Sequence, residues 1–209
     1  MGSFRPGAGN QHLHWYFNFT GCIVETALKS LRLSCGSELT RQGISPSRLG
    51  GEKQSRPKRE AAAALTKHIA DSVLTADPNS KVIIMGDLND DPNNTSCRVV
   101  LGAKKDQKDV KPGGYYNTMW SFFDKGIGSL AYQGSWNLFD QIIISENFLG
   151  KDRSTLKFIK AEIFNRDFLK QTEGKYKGYP KRTHAGGVYL NGYSDHFPTL
   201  IYLAKEVNR

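Results

Sequence analysis

The stretch KVIIMGDLNDDP, residues 81–92, joins an apolar run to polar side chains whose types and spacing could do chemistry. Asp87 and Asn89 follow the apolar run Lys81–Met85. On an extended backbone, residues two apart project to the same side. A carboxylate and a carboxamide held together at a strand end can hold a water, a metal ion or a phosphate oxygen. An ordinary strand-to-turn junction is the alternative, because Asp and Asn are also common turn formers.

Two later stretches also place polar residues beside an apolar strand. Asp140 precedes Ile142–Ile144, and Asp195 and His196 precede Thr199–Leu203. A layered sheet can bring such strand ends to one edge. Acids, an amide and a histidine that converge there would suit metal-assisted attack of water on a phosphate ester. We therefore predict that these groups and the first pair cluster at one rim of a sheet.

The apolar residues around Asp140 in the sequence lead to a second prediction, which concerns its hydrogen-bond partner. A buried carboxylate without a partner is costly, so Asp140 needs a donor or a cation. His196 in turn needs an acceptor that orients its ring. We predict that the two are hydrogen-bonded and that the pairing raises the pKa of His196.

The elements that must position these groups are typical of a layered α/β protein. Lys81–Met85 is rich in β-branched residues and lacks polar alternation, which predicts a strand covered on both faces. An apolar stripe at spacings of four predicts a helix over Pro57–Thr75, and a helix followed by a strand is an αβ unit. The remaining predicted elements are helices over Glu25–Leu33 and Thr95–Leu101 and a strand over Lys157–Phe164.

The segment Ser47–Glu60 is basic and contains glycine, and we predict a loop there. A solvated loop is the more common interpretation of a charge run. The functional interpretation is a loop that faces phosphate, with Arg48, Arg56 and Lys58 as substrate contacts. The formal net charge of the chain is +9, from 29 Lys and Arg against 20 Asp and Glu, which favours polyanionic partners.

Composition limits the class of protein. A chain of 209 residues with 38% hydrophobic residues can form one domain with a substantial core, or part of a larger one. Three cysteines without metal-ligand spacing argue against a disulfide scaffold, and His12 and His14 lack a third ligand for a metal site. We find no signal-peptide pattern and no run near the roughly 20 apolar residues of a membrane span. Localisation stays open, with the cytoplasm as the default.

Three motifs together resemble those of the endonuclease/exonuclease/phosphatase superfamily, which includes deoxyribonuclease I, abasic-site endonucleases, sphingomyelinases and inositol-polyphosphate phosphatases. They are GDLN at 86–89, LFDQ at 138–141 and SDH at 194–196, each next to a strand and in the family's order. The resemblance runs from about Ser47 to the carboxyl terminus, and its flanks look most like a bacterial branch.

The resemblance implies a role for each matching residue. Asp87 would orient or deprotonate the attacking water, or protonate the leaving group, and Asn89 would bond a non-bridging phosphate oxygen. Asp195 would help to bind Mg²⁺ or Mn²⁺. His196 would stabilise charge on the scissile phosphate, with Asp140 fixing its tautomer.

The resemblance also implies a four-layer α/β sandwich, with two mixed β-sheets flanked by helices. Residues 1–46 do not match the amino-terminal half of the family, and Glu25 lies too near GDLN to be its metal-binding glutamate. We therefore expect an incomplete amino-terminal half, with the family domain over residues 47–209.

Two functions follow from these expectations. The first is metal-dependent hydrolysis of phosphate esters, impaired by the missing half, with nucleic acid favoured as substrate over a lipid or an inositol phosphate. The alternative is a non-catalytic remnant that binds nucleic acid or other anionic partners through its basic segments.

Overall fold

The computed structural model describes residues 51–206 and, as backbone alone, two short strands at 23–26 and 32–34. The strands are β1 (Ile23–Thr26), β2 (Arg32–Ser34), β3 (Val82–Asp87), β4 (Tyr115–Asn117), β5 (Leu130–Tyr132), β6 (Ser135–Asn137), β7 (Asp140–Ser145), β8 (Lys157–Ile163), β9 (His184–Ala185), β10 (Val188–Tyr189) and β11 (Thr199–Ala204). The α-helices are α1 (Glu52–Ala76) and α2 (Trp120–Asp124). Ser96–Val100 forms one turn of π-helix, and short 3₁₀ turns lie at Gln107–Asp109, Glu146–Phe148, Asp167–Leu169 and Gly174–Tyr176.

A five-stranded sheet in the order β2-β1-β3-β7-β4 organises the fold. Its strand pairs are antiparallel, as are the β8–β11, β5–β6 and β9–β10 pairs. In the register of β3 with β7, Met85 lies opposite Ile142 and Asp87 opposite Asp140. Helices and several antiparallel sheets confirm the predicted α/β class.

Strand β3 is covered on both faces, as its unbroken apolar sequence predicts. Val82 and Ile84 pack with the buried alanines of α1 in one core cluster. Ile83 and Met85 pack on the other side, in a cluster that includes Leu203 of β11. Successive residues of a strand point to opposite faces, so this one strand joins the helix layer to the β8–β11 pair. A rigid, doubly packed strand therefore ends at Asp87.

The predicted helix over Glu25–Leu33 is wrong. The backbone forms β1 and β2, and β1 pairs antiparallel with β3 so that Glu25 lies opposite Ile83. Pairing supplies hydrogen bonds to the edge of β3 that a helix would leave unmade, and this tertiary context outweighs local propensity. The same register places Glu25 four residues before Asp87 along β3, away from the strand end.

Helix α1 begins at Glu52, five residues before the predicted start at Pro57. The predicted loop Ser47–Glu60 is therefore helical from Glu52 onward. Its first turns are tied together by Arg59, which donates to the Ser55 hydroxyl at 2.5 Å and to the Glu52 carbonyl at 3.2 Å. These bonds stabilise the turns in which Pro57 lacks an N–H.

The other predicted elements are present. Thr95–Leu101 contains the π-helical turn, Lys157–Phe164 contains β8, and Thr199–Leu203 lies within β11. Within residues 51–206, no helix has the length and apolar character needed to cross a bilayer.

Candidate active site

The ends of β3 and β7 bring two carboxylates together. Asp87 is the last residue of β3 and Asp140 the first of β7, and they are direct cross-strand partners. Side chains of directly opposed residues in an antiparallel pair have Cβ atoms about 4.5–5.5 Å apart. Like charges at that separation repel, so the charge of Asp140 acts on the Asp87 carboxyl group.

Asp140 accepts two hydrogen bonds at one oxygen. Its Oδ2 lies 2.7 Å from Nδ1 of His196 and 2.5 Å from the hydroxyl of Ser129. A carboxylate can only accept, so Nδ1 carries a proton and the other ring nitrogen, Nε2, is left for other contacts. Nε2 has no hydrogen-bond partner among the described residues. The predicted pairing of Asp140 with His196 is therefore confirmed.

Three further contacts fix the position of His196. Its backbone N–H donates to the Ser194 hydroxyl, and the N–H of Phe197 donates to the Ser129 carbonyl at 2.7 Å. The Phe197 ring is buried with Leu138 and Met119. The loop that carries the histidine is thus anchored beside the start of β7.

The pKa of His196 is raised above its ordinary value of 6.5. Burial is the largest single influence and acts to lower the pKa. The hydrogen bond and negative charge of Asp140, with the charges of Asp87 and Asp195, together outweigh burial. The site therefore favours an imidazolium, as the sequence predicts.

The pKa of Asp87 is raised above its ordinary value. Burial is the largest cause and the charge of Asp140 the next, while the Asn89 N–H and the charge of His196 act in the opposite direction. Asp87 thus holds its proton more strongly than an exposed aspartate does.

The sequence predicts that the strand stays extended through Asn89, so that its side chain lies on the same side as that of Asp87. In the structure Asn89 does not continue the extended strand. Its backbone is left-handed, with φ of 52°, and its N–H donates to Oδ1 of Asp87 at 2.9 Å. The Asp87 side chain closes this tight turn, and Asn is among the few residues that tolerate such a φ. Leu88 packs against the core. Asn89 is therefore next to Asp87 through the backbone, and the direction of its amide stays a prediction.

Asp195 is the exposed acid of the group. Its charge raises the pKa of both Asp87 and His196, which places it within electrostatic range of the dyad. Over the described ranges, no group of three or more His, Cys, Asp or Glu side chains is arranged to hold a metal ion. The described acids alone therefore do not form a divalent-metal site, since Mg²⁺ and Mn²⁺ sites need several oxygen ligands.

The basic residues predicted to contact substrate lie on α1 and not on a loop. Arg56 bonds Oε1 of Glu60 at 2.6 Å and the Thr95 hydroxyl at 3.0 Å. Lys58 is exposed. Residues two apart on a helix do not share a face, so the two cations point in different directions. Arg48, like His12 and His14, lies outside the described residues.

The sequence does not predict the residues that support the site through hydrogen bonds. Ser129 is fully buried and bonds Asp140, but nothing in its local sequence marks it. Asp91 lies in the turn after β3. Its carboxylate accepts from the Leu138 N–H at 2.7 Å and from the Asn137 amide at 2.9 Å, which joins the turn after β3 to the residues before β7.

A buried ion pair supports the same turn. Nε of Arg59 lies 2.8 Å from Oδ1 of Asp90, and both side chains are almost fully buried. The Ser96 hydroxyl bonds the other carboxylate oxygen at 2.6 Å, and the Gln141 amide bonds the Asp90 carbonyl. The sequence does contain a signal for this pair. Arg59 lies on the buried, alanine-rich face of the helix, and a buried cation requires an anion nearby.

A comparison with protein families identifies the family of the chain. A model of the Endonuclease/Exonuclease/phosphatase family matches residues 43–205. No curated protein and no solved structure matches the chain. Since the match covers well over half of the 209 residues, the chain belongs to the Endonuclease/Exonuclease/phosphatase family.

Proposed function

We propose that this protein hydrolyses phosphate esters at the site formed by Asp87, Asp140, Asp195 and His196. Family membership supports phosphoester hydrolysis in general. The observation that carries the proposal is the contact between His196 Nδ1 and Asp140 Oδ2, because it favours the protonated ring and leaves Nε2 without a partner among the described residues.

In this proposal His196 binds the phosphate. The imidazolium donates from Nε2 to a phosphate oxygen and stabilises the negative charge that grows there during attack by water. Asp140 holds the ring orientation and keeps the ring protonated. The buried Ser129 hydroxyl in turn fixes the Asp140 carboxylate.

Asp87 acts on the attacking water or the leaving group, and Asn89 binds the phosphate. Asp87 has a raised pKa, which suits a group that takes a proton from water or gives one to the leaving oxygen. The turn between the two residues holds Asn89 beside that carboxylate, where its amide would bond a non-bridging oxygen. Arg48, Arg56 and Lys58 are proposed as more distant phosphate contacts.

A divalent metal, Mg²⁺ or Mn²⁺, is proposed as cofactor because enzymes of this family generally use one. Asp195 is its proposed ligand. The described acids do not complete a metal site by themselves. Nucleic acid is the favoured substrate, on the strength of the +9 net charge.

The test is hydrolysis of a small phosphodiester, bis(p-nitrophenyl) phosphate, and nicking of plasmid DNA with Mg²⁺ or Mn²⁺ present. His196→Ala should lower the rate by about 10²–10⁴-fold. His68→Ala, a change at an exposed histidine on α1, is the matched control and should keep the wild-type rate. Equal rates in all three proteins would refute the assignment.

The second candidate is a non-catalytic protein that binds anionic partners. The absence of a complete metal-ligand group among the described residues favours it. In that case both histidine variants and the wild type would bind DNA alike, and none would hydrolyse either substrate.

A further inference from the structure

A row of aromatic rings leads away from the residue that follows His196. The Phe197 ring stacks on Trp136, with centroids 6.0 Å apart and planes at 19°. Trp136 contacts Tyr179 at 5.5 Å, and Tyr179 contacts Tyr176 at 5.8 Å. Phe197, at one end of the row, is 2% exposed, whereas Trp136 is 36% and Tyr176, at the other end, 57% exposed.

A second group of rings includes the residue two positions before Asp195. Phe168 contacts Tyr193 at 5.7 Å, and both are highly exposed, at 58% and 60%. Tyr193 precedes Asp195 by two positions, as Phe197 follows it by two. We call the row and this group together the aromatic surface. It therefore flanks the Asp195–His196 segment in both directions.

The aromatic surface lies in a basic part of the described chain. Residues 166–193 contain six Lys and Arg against two Asp and Glu. Nζ of Lys175 lies 5.7 Å from the centre of the Tyr176 ring, and Lys177 and Arg182 are exposed nearby in sequence. Exposed rings between cations are the chemistry that binds single-stranded nucleic acid, because bases stack on the rings while the cations contact phosphates.

We propose that the aromatic surface binds unpaired bases, so that the chain prefers a single-stranded polynucleotide, or an unpaired stretch of one, over a duplex. In a duplex the base faces are already stacked on one another and cannot reach a protein ring. The inference rests on the proposed function, in which His196 binds the phosphate. It specifies in addition that the polynucleotide at this site is single-stranded.

The packing of the row favours bases over a lipid surface. Its four rings are held by three ring-to-ring contacts at 5.5–6.0 Å, so their exposed faces are fixed in place. A fixed face suits stacking, whose gain depends on a flat contact. Insertion into a bilayer instead uses apolar groups that protrude, of which the described chain has Val188 and Leu190 at the end of the β9–β10 hairpin.

The experiment measures binding without catalysis. Fluorescence anisotropy in EDTA is recorded with a labelled oligothymidylate and with a duplex of the same length. The variants are Tyr176→Ala and Phe168→Ala, whose side chains are exposed and can be removed without opening the core. The matched control is Tyr132→Ala, which removes a tyrosine that is 61% exposed and outside the row.

We expect the oligothymidylate to bind more tightly than the duplex. Each of the two test variants should weaken that binding by about 5- to 150-fold, the effect of losing one base–ring stack, and Tyr132→Ala should not. Binding should also quench tryptophan fluorescence, and Trp136→Phe, which keeps a ring in the row, should remove the quenching. Unfolding midpoints equal to the wild type would show that the variants are folded.

Three results would overturn the proposal. They are equal or tighter binding of the duplex, unchanged binding by both test variants, and binding to phosphatidylserine vesicles that needs Tyr176 while the oligonucleotide does not bind. The last would make the surface a membrane contact. Failure of the hydrolysis assay with normal Tyr176-dependent oligonucleotide binding would refute the proposed function and leave this inference standing.

Discussion

Nδ1 of His196 lies 2.7 Å from Oδ2 of Asp140, although 56 positions separate the two residues in the chain. The contact joins the loop before β11 to the first residue of β7, and it links the histidine to Asp87 on the neighbouring strand. Burial of the imidazole would by itself favour the neutral ring. The raised pKa of His196 therefore depends on the carboxylates around it.

Replacement of Asp140 by Asn should lower the pKa of His196. The change removes the strongest raising influence and leaves burial, which lowers the pKa. An NMR titration of the imidazole C–H signals measures the pKa directly. Asp195→Asn should give a smaller decrease, because its charge ranks below those of Asp140 and Asp87. An unchanged pKa in Asp140→Asn would show that the pair does not control the protonation of the histidine.

Replacement of Asp87 by Asn should stabilise the fold at neutral pH while it reduces activity. The Asp87 carboxylate is destabilised by burial and by Asp140, and an Asn side chain keeps the acceptor for the Asn89 N–H. We expect a gain of about 0.5–2 kcal/mol in the free energy of unfolding, measured with urea at pH 7.

The pH dependence gives this prediction its sign. The folded-state pKa of Asp87 is raised, so the carboxylate destabilises the protein above that pKa and ceases to do so once it is protonated. The advantage of Asp87→Asn should shrink as the pH falls through the folded-state pKa. Asp77→Asn is the control, since Asp77 caps a similar turn through the Asn79 N–H but is exposed. A loss of stability in Asp87→Asn at pH 7 would contradict the argument.

Much of the central sheet could be predicted because its signals are local. The uninterrupted apolar run before Asp87 predicts a strand covered on both faces, and the need of Asp140 for a partner predicts its contact with His196. Both predictions rest on the free-energy cost of burying an unpaired polar group. The positions of polar and apolar residues can be seen directly in the sequence.

The missed features depend on distant residues. Ser129 contacts Asp140 only because the β5–β6 hairpin returns to β7, and no periodicity displays that contact. Glu25 lies in a strand because β3 offers an edge to pair with. The backbone of Asn89 is left-handed because the Asp87 side chain closes a turn, which replaces the extended geometry assumed from the strand before it.

Replacement of Arg59 by Met should remove a large share of the free energy of unfolding. Arg59 and Asp90 form a buried ion pair, and loss of the arginine leaves the carboxylate buried without its cation. Breaking one side of such a pair costs about 3–5 kcal/mol in the free energy of unfolding, measured by urea denaturation.

The control for this prediction lies on the same helix. Arg56→Met breaks an exposed pair with Glu60 and should leave the urea midpoint close to that of the wild type. Because the Arg59–Asp90 pair holds the turn after Asp87, the double variant Arg59→Met, Asp90→Asn should recover part of the loss. Equal midpoints for Arg59→Met and the wild type would mean that the ion pair does not stabilise the fold.

Metal-dependent turnover should be slow and should need high metal concentrations. The described residues contain no group of three or more potential ligands, and Asp195, the proposed ligand, is exposed. One carboxylate is a poor site for Mg²⁺, which gives up its waters reluctantly. The rate of bis(p-nitrophenyl) phosphate hydrolysis should therefore keep rising through the millimolar range of Mg²⁺ or Mn²⁺, and calorimetry should find only weak binding.

Two variants decide whether Asp195 is the ligand. Asp195→Asn should remove the metal-dependent part of the rate, whereas Asp167→Asn, at an exposed aspartate on a 3₁₀ turn, should leave it intact. Fast turnover that saturates at low metal concentration, disappears in His196→Ala and survives in Asp195→Asn would contradict the prediction. Such a result would require carboxylate ligands from outside the described residues, because Asp87 and Asp140 with the single histidine form no ligand group by themselves.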